Sequence, residues 1–220
     1  MDHEQHEHTL IAQECARIML NEGIGDFARA KNKALQRLGL SGRFCLPSNL
    51  EIEAAMIEQN RLFATVDALA ELQAKRKASL KLMRRLIEFE PRLTGSVLKG
   101  TCGIGSKATL HVFCDFPEEL LFSLMNQRIP YRESEHFIVG KNQSLPSVLV
   151  MVNGFEVEAV IFPRSGLRQA PPSPVDGKPM RRATIEETKE LIEGNLADLF
   201  GAEGLPKHLA DFFGEEANER

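Results

Sequence analysis

Apolar side chains recur at helical spacing through the first ninety residues and at every second residue after about position 107, so the chain changes its hydrophobic period near its middle. "HTLIAQECARIMLNEG" sets Leu10, Ile11, Ile18 and Met19 at helical spacing and stops at Gly23. "GDFARAKNKALQRLGL" then places Phe27, Ala30, Ala34, Leu35 and Leu38 on one face and ends at Gly39. "SGRFCLPSN" is a connection, and Ser48 followed by Glu51 is a capping box that starts the next helix. From Leu50 to about Phe89 neither Gly nor Pro interrupts the chain. That predicts one helix of roughly 40 residues, or two with a break near Ala74–Ala78. Leu62, Val66, Leu69, Leu72, Leu80, Met83 and Ile87 form its apolar stripe, and Pro91 marks its end.

The second half reads as alternating strands and a helix. Strands are expected near 108–114, 131–139, 147–153 and 155–162, with a helix over 117–128 that has Pro117 in its first turn. Asn153–Gly154 is a hairpin signal between the last two strands. "PRSGLRQAPPSPVDGKPMRRA" holds five prolines and predicts an extended connection. Thr184 and Glu187 form a second capping box, opening a helix to about Phe200; a short helix near Pro206–Phe213 and an acidic tail follow. The expected fold is α+β: a mixed or largely antiparallel sheet flanked by helices, with an all-helical N-terminal extension and no strand before residue 90. The chain divides into a helical region 1–90, an α/β core with its C-terminal helix over 91–200, and a tail 201–220.

Composition changes this picture little. The chain is 43% hydrophobic and 26% charged, ordinary for a globular protein. It holds no apolar run of membrane-spanning length, so no membrane partner is expected, and "MDHEQHEHTL" is too polar for a secretory signal. Cys15, Cys45, Cys102 and Cys114 lack metal-ligand or disulfide spacing, which suits a reducing, cytoplasmic setting. The net charge of −4 argues against nucleic-acid binding by bulk electrostatics, but the charge is uneven: residues 91–183 carry a net +3 and residues 184–220 a net −7. The densest basic cluster, "KRKASLKLMRR" from Lys75 to Arg85, puts Lys77, Lys81 and Arg84 on one helical face; it is either a solvated face or a surface for RNA or a protein. The long helix is also a candidate surface for homo-oligomerisation. His3, His6 and His8 read as a polar terminus rather than a metal site. Cys102 has no evident base, and neither His111 nor His136 presents itself as its partner.

The candidate chemistry lies in "RLTGSVLKGTCGIGSKATLHVFCD", Arg92 to Asp115. A Gly-Ser turn lets backbone N–H groups approach a phosphate. Nucleotidyl transfer further needs two acids spaced i, i+2 on the following strand, with a third acid on a neighbour, to hold divalent metal. "LTGSVLKGTCGIGSKATLHVF" resembles the signature of the polymerase-beta-like nucleotidyltransferase superfamily, and the chain looks like small bacterial members with a helical N-terminal extension, most clearly over residues 84–163. The resemblance implies a nucleoside triphosphate as ligand, held through Gly95, Ser96, Lys99, Lys107 and Thr109. It implies Glu158 as the third, catalytic acid, with Glu156 two residues before it on the same strand face as the fallback, and Mg²⁺ as cofactor where transfer is retained. Lys107 and Thr109 stand where the family has its acid pair; Asp115 lies too far along the strand to replace it, and His111 cannot replace two carboxylates. The leading expectation is therefore a catalytically degenerate nucleotidyltransferase fold that binds a nucleotide, RNA or protein partner. The alternatives are an active enzyme transferring a nucleotidyl group from a nucleoside triphosphate to an acceptor, and a structural or oligomerisation module.

Overall fold

The computed structural model describes residues 2–40, 45–63, 65–103, 105–138 and 144–194. Their order is α1 (Asp2–Glu22), α2 (Phe27–Leu38), α3 (Asn49–Phe63), α4 (Val66–Arg85), a 3-10 turn at Ile87–Phe89, β1 (Arg92–Thr94), α5 (Gly95–Lys99), β2 (Ala108–Phe113), α6 (Pro117–Asn126), β3 (Tyr131–Phe137), β4 (Ser144–Val152), β5 (Phe155–Phe162), a 3-10 turn at Arg164–Leu167 and α7 (Ile185–Glu193). The short helix expected near Pro206–Phe213, the acidic tail and the end of the helix expected to reach Phe200 lie outside the described residues. The chain forms two compact units: one takes in the residues up to Glu71 together with Gly100–Ser106, the other Leu72–Lys99 and Lys107–Gly194. None of the described helices is long and apolar enough to cross a membrane.

In the first unit the apolar faces of α1, α2 and α3 meet. Ile11, Cys15, Ile18 and Met19 pack with Ala30, Ala34, Ile52 and Met56. The helix ends are set by side chains that sequence patterning identifies. Asp26 Oδ1 accepts from the Arg29 N–H at 2.7 Å. Gly39 takes a left-handed conformation (φ 65°) that ends α2, and the Leu40 N–H reaches back to the Leu35 carbonyl. The Ser48–Glu51 box closes in both directions, at 2.7 Å and 3.2 Å.

The uninterrupted segment after Leu50 is two helices, as one of the two expected forms has it, but the break falls ten residues earlier than Ala74–Ala78. Thr65 lies outside α3 and α4, and its Oγ1 accepts from the Ala68 N–H at 3.2 Å. A β-branched hydroxyl residue that caps the next turn starts a new helix as effectively as a glycine stops an old one. The α-helix also ends at Arg85, with the 3-10 turn and a left-handed Glu90 (φ 45°) completing the path to Pro91.

The second unit holds a five-stranded mixed sheet in the order β1-β2-β5-β4-β3. β2 and β5 run parallel and the other neighbours antiparallel, as expected of a mixed, largely antiparallel sheet. Asn153 (φ 52°) and Gly154 (φ 85°) both take the positive φ that a two-residue hairpin turn demands. β1 was not expected. It is only three residues long, and its outer edge pairs with a residue ninety positions on: Leu93 and Ala183 exchange two backbone hydrogen bonds of 2.8 Å. One sheet face carries Leu110, Val112, Val148, Val150, Val157, Ala159 and Ile161, all buried. The Thr184–Glu187 box forms and opens α7.

The basic stretch divides. Lys75 and Arg76 are buried, while Lys77, Lys81, Arg84 and Arg85 are exposed. Arg76 donates Nε to the Val97 carbonyl at 3.2 Å, Nη2 to that of Leu98 at 3.3 Å and Nη1 to that of Leu191 at 3.4 Å. It thereby answers carbonyls at the ends of α5 and α7 that have no partner within their own helices.

Gly103 has a steric role within the first unit. A Cβ added there would lie 2.3 Å from the Leu20 carbonyl oxygen. Neither side of that contact is a flexible side-chain tip, so backbone must shift. Gly103→Ala is expected to destabilise the protein by about 1–3 kcal/mol, read from the midpoint of urea unfolding; an unchanged midpoint would show that the loop gives way freely.

Candidate functional site

Register decides which side chains can meet. Thr109 pairs with Glu158 across the parallel β2–β5 ladder and with Thr94 across β1–β2, and Glu158 pairs with Leu149 of β4. Paired residues share a face, and so do residues two apart. Lys107, Thr109, His111, Glu156, Glu158, Ser147 and His136 therefore lie on the sheet face opposite the one that buries Leu110, Val112, Val148 and Ala159.

Glu158 is the centre of that face. It is 1% exposed, in a strand whose neighbours are valine, alanine and isoleucine. An isolated carboxylate in such a place is costly, so its partners define the site. Lys107 Nζ stands 2.9 Å from Oε2, Ser147 Oγ donates to Oε1 at 3.1 Å, and His136 Nδ1 lies 3.3 Å from Oε1. Burial pushes the Glu158 carboxyl up, but its contacts with His136 and Lys107 outweigh that and hold it at about 2. The Lys107 side chain is 42% exposed, so its charge is shared between the carboxylate and the open side.

The other anticipated residues group less tightly. Gly95 takes φ +75°, which favours glycine, and a Cβ there would stand 4.0 Å from Thr109 Cβ and Oγ1. Backbone conformation, not lack of room, is what calls for glycine. Ser96 follows in α5, and Lys99 ends that five-residue helix, about 6 Å further along its axis. Glu156 pairs with Arg132 at 3.6 Å, away from Glu158. Asp115 is exposed, and its Oδ1 accepts from the Arg164 N–H at 3.1 Å. The loop between α5 and β2 is held by its own unit: Asn60 Nδ2 donates to the Gly100 carbonyl at 3.0 Å, and Ser106 Oγ accepts from the Gly103 N–H at 3.0 Å.

Both histidines, neither of which presented itself as a partner for Cys102, have other partners on this face. His136 faces Glu158, and His111 accepts from Arg182. Arg182 Nε donates to His111 Nδ1 at 3.1 Å, Nη1 donates to the Gly166 carbonyl at 2.8 Å, and the guanidinium lies 5.1 Å and 5.4 Å from the ring centres of Phe113 and Phe162. Accepting from an arginine requires a bare Nδ1, so His111 is neutral with its proton on Nε2. Burial first, then the charges of Arg182 and His136, push His111 down to about 3. Burial, with Arg92 nearby, lowers Arg182 to about 10, and it remains a cation at neutral pH. One signal for His136 was present in the sequence: it alternates with Arg132 and Ser134 along β3, and a lone acid in "VEAVIF" needs a partner from somewhere. Arg182 had none, being fixed by the bridge that its neighbour Ala183 makes to Leu93.

Among the described residues no three His, Cys, Asp or Glu side chains converge as metal ligands. The arrangement is a buried carboxylate clamped by a lysine, a serine and a histidine, next to a neutral histidine braced by an arginine. No protein-family model matches the chain, and no curated protein matches it.

Acid should weaken this face in two stages. His111 and Glu158 both have folded values below the ordinary 6.5 and 4.5, so the unfolded chain binds more protons and stability is lost as pH falls. The His111 contribution is complete above about 6.5 and declines toward about 3; that of Glu158 is complete above about 4.5 and declines toward about 2. Urea unfolding followed from pH 7 to pH 4.5 is expected to show a loss on the order of 2–3 kcal/mol from His111. His111→Gln should flatten this interval and Glu158→Gln only the steeper fall below it; a wild type flat from pH 7 to 4.5 contradicts the neutral His111.

Proposed function

We propose that this chain is a polymerase-beta-like nucleotidyltransferase fold whose site holds a phosphate-bearing ligand, a nucleoside triphosphate first of all, without metal-dependent nucleotidyl transfer. What supports the fold reading is the order of parts. A strand runs into Gly95–Ser96 and a short helix, the next strand carries Lys107 and Thr109, and its parallel neighbour carries Glu158 in register with Thr109.

The observation that carries the loss of transfer is the ion pair of 2.9 Å between Lys107 Nζ and Glu158 Oε2. Mg²⁺ needs near-octahedral oxygen ligands and is usually held by one or two carboxylates together with substrate phosphates. Here the single carboxylate already faces a cation. At about 4 Å a divalent ion beside an ammonium meets repulsion of about 8 kcal/mol at an effective dielectric of 20. The residues present do not fit a catalytic metal, and no step is assigned to one. They suit an anion better: an ammonium can neutralise phosphate where a metal would otherwise stand.

Calorimetric titration of Mg²⁺ or Mn²⁺ into the protein is expected to give no measurable binding, with metal affinity appearing in the Lys107→Asp, Thr109→Asp double variant. Assays with α-labelled triphosphate are expected to show binding that survives chelator and no transfer. Metal-dependent transfer by the wild type, abolished by Glu158→Ala, overturns this reading in favour of an active nucleotidyltransferase; no triphosphate binding at all leaves a structural module.

A further inference from the structure

We propose that the outer face of α4, carrying Lys77, Lys81, Arg84 and Arg85, is a docking surface for the phosphate backbone of a nucleic acid. Several bases of the other helices are paired with acids. In α1 and α3, Arg17 pairs with Glu14 at 2.7 Å and Arg61 with Glu58 at 2.6 Å, and in α2 Lys33 and Arg37 both pair with Glu22. Lys31 of α2 meets the Asn49 amide instead, at 2.8 Å, and α4 extends this acid-free arrangement over several turns. From Leu72 to Ile87 the sequence has six Lys and Arg residues and no Asp or Glu. Burial withdraws Lys75 and Arg76, and the remaining four are exposed.

Their partners are uncharged. Lys81 Nζ donates to Asn153 Oδ1 at 2.9 Å, and Arg85 donates Nε to Gln127 Oε1 at 2.7 Å and Nη2 to the Gln127 carbonyl at 3.2 Å. A neutral amide fixes where a cation sits and leaves its charge intact, which lowers the ordering cost of meeting an anion. Lys77 and Arg84 meet no acid among the described residues. The helix dipole accounts for cations in the last turn, where Arg84 and Arg85 lie, but not for Lys77 and Lys81 further back. Spacing like charges four apart also costs an isolated helix about 0.2–0.5 kcal/mol per pair.

The shape and surroundings of the row select the partner. Lys77 to Arg85 spans about 12 Å of helix, so the four cations form a row, as the successive phosphates of a strand do, rather than a single point of charge. A helix that lies on a lipid surface needs exposed apolar side chains beside its cations. Between Lys77 and Arg85 the large apolar residues Leu80, Leu82 and Met83 are all buried. The surface is separate from the Glu158 site, so it stands or falls independently of the function proposed there.

The test is fluorescence anisotropy of the full chain with a labelled 20-nucleotide single strand, RNA and DNA in turn, at several salt concentrations. Four phosphate contacts predict a slope of log affinity on log salt of about −3, and hence about 50-fold weaker binding at 200 mM than at 50 mM salt. The variant Lys77→Gln, Lys81→Gln, Arg84→Gln should bring the slope to about −1, while Lys107→Gln leaves it unchanged. Lys77→Gln alone, at an exposed position with no bonded partner among the described residues, should remove about 0.7 of slope and keeps the test open if the triple variant misfolds. Absence of binding at 25 mM salt, an unchanged slope in these variants, or equal affinity for poly-glutamate or phosphatidylserine vesicles would overturn the proposal.

Discussion

A carboxylate sealed inside a sheet is the constraint around which the second unit is organised. Glu158 sits in the parallel β2–β5 ladder, buried beside Val157, Ala159, Val160 and Ile161 of its own strand. Removing one partner from a buried ion pair costs about 3–5 kcal/mol, because the remaining charge is stranded. The partners come from β4, from the edge strand β3 and from the residue that precedes β2. Three separate segments must therefore be in place for one side chain to be tolerable. The same register that brings them together sets Thr109 beside Glu158 and Gly95 over Thr109, so positions of interest for ligand binding depend on how this one charge is compensated.

The buried Arg76 and the half-buried Arg182 solve the opposite problem without an acid. Arg76 spreads its charge over three helix-end carbonyls, and Arg182 over a carbonyl, a neutral imidazole and two phenyl faces. Guanidinium suits both tasks because its donors point in fixed directions and its charge is weakly hydrated. An ammonium would do neither well. Lysine is instead found where one point charge must face one carboxylate, at Lys107. The division of labour follows from the chemistry of the two cations rather than from their sign.

Much of this was legible in the sequence, and what was not shares a cause. Ser48–Glu51, Thr184–Glu187, Asn153–Gly154 and the alternation in "ATLHVF" and "FEVEAVIF" are local signals, and each marks the element it should. The break at Thr65 was missed because it needs no glycine or proline, only a hydroxyl that caps the next turn. β1 was missed because three residues carry no period and its outer partner, Ala183, is far along the chain. The helical period put Lys77, Lys81 and Arg84 on one face, and all three are exposed, but it did not single out Lys75 and Arg76 as the two that turn inward. Within the candidate site the resemblance singled out Lys107, Thr109 and Glu158, and register sets them on one face. It could not supply His136, Ser147 or Arg182, which reach that face through long-range pairing.

The ion pair at Lys107 bears on what the site can still hold. The Lys107 ammonium carries three N–H donors and stands 2.9 Å from Oε2 as an ion pair. The side chain is nearly half exposed while the carboxylate is sealed, so an anion reaching this face would meet the lysine before the glutamate. Glu158 then acts behind the lysine, fixing its position and reducing its net charge. A phosphate held this way gains less than it would from an unpaired cation, but it meets a donor already oriented and loses little entropy in ordering it. An acid pair at 107 and 109 would instead face Glu158 with like charge and require a metal to be tolerable. With lysine and threonine at these two positions, the carboxylate is compensated by protein groups alone.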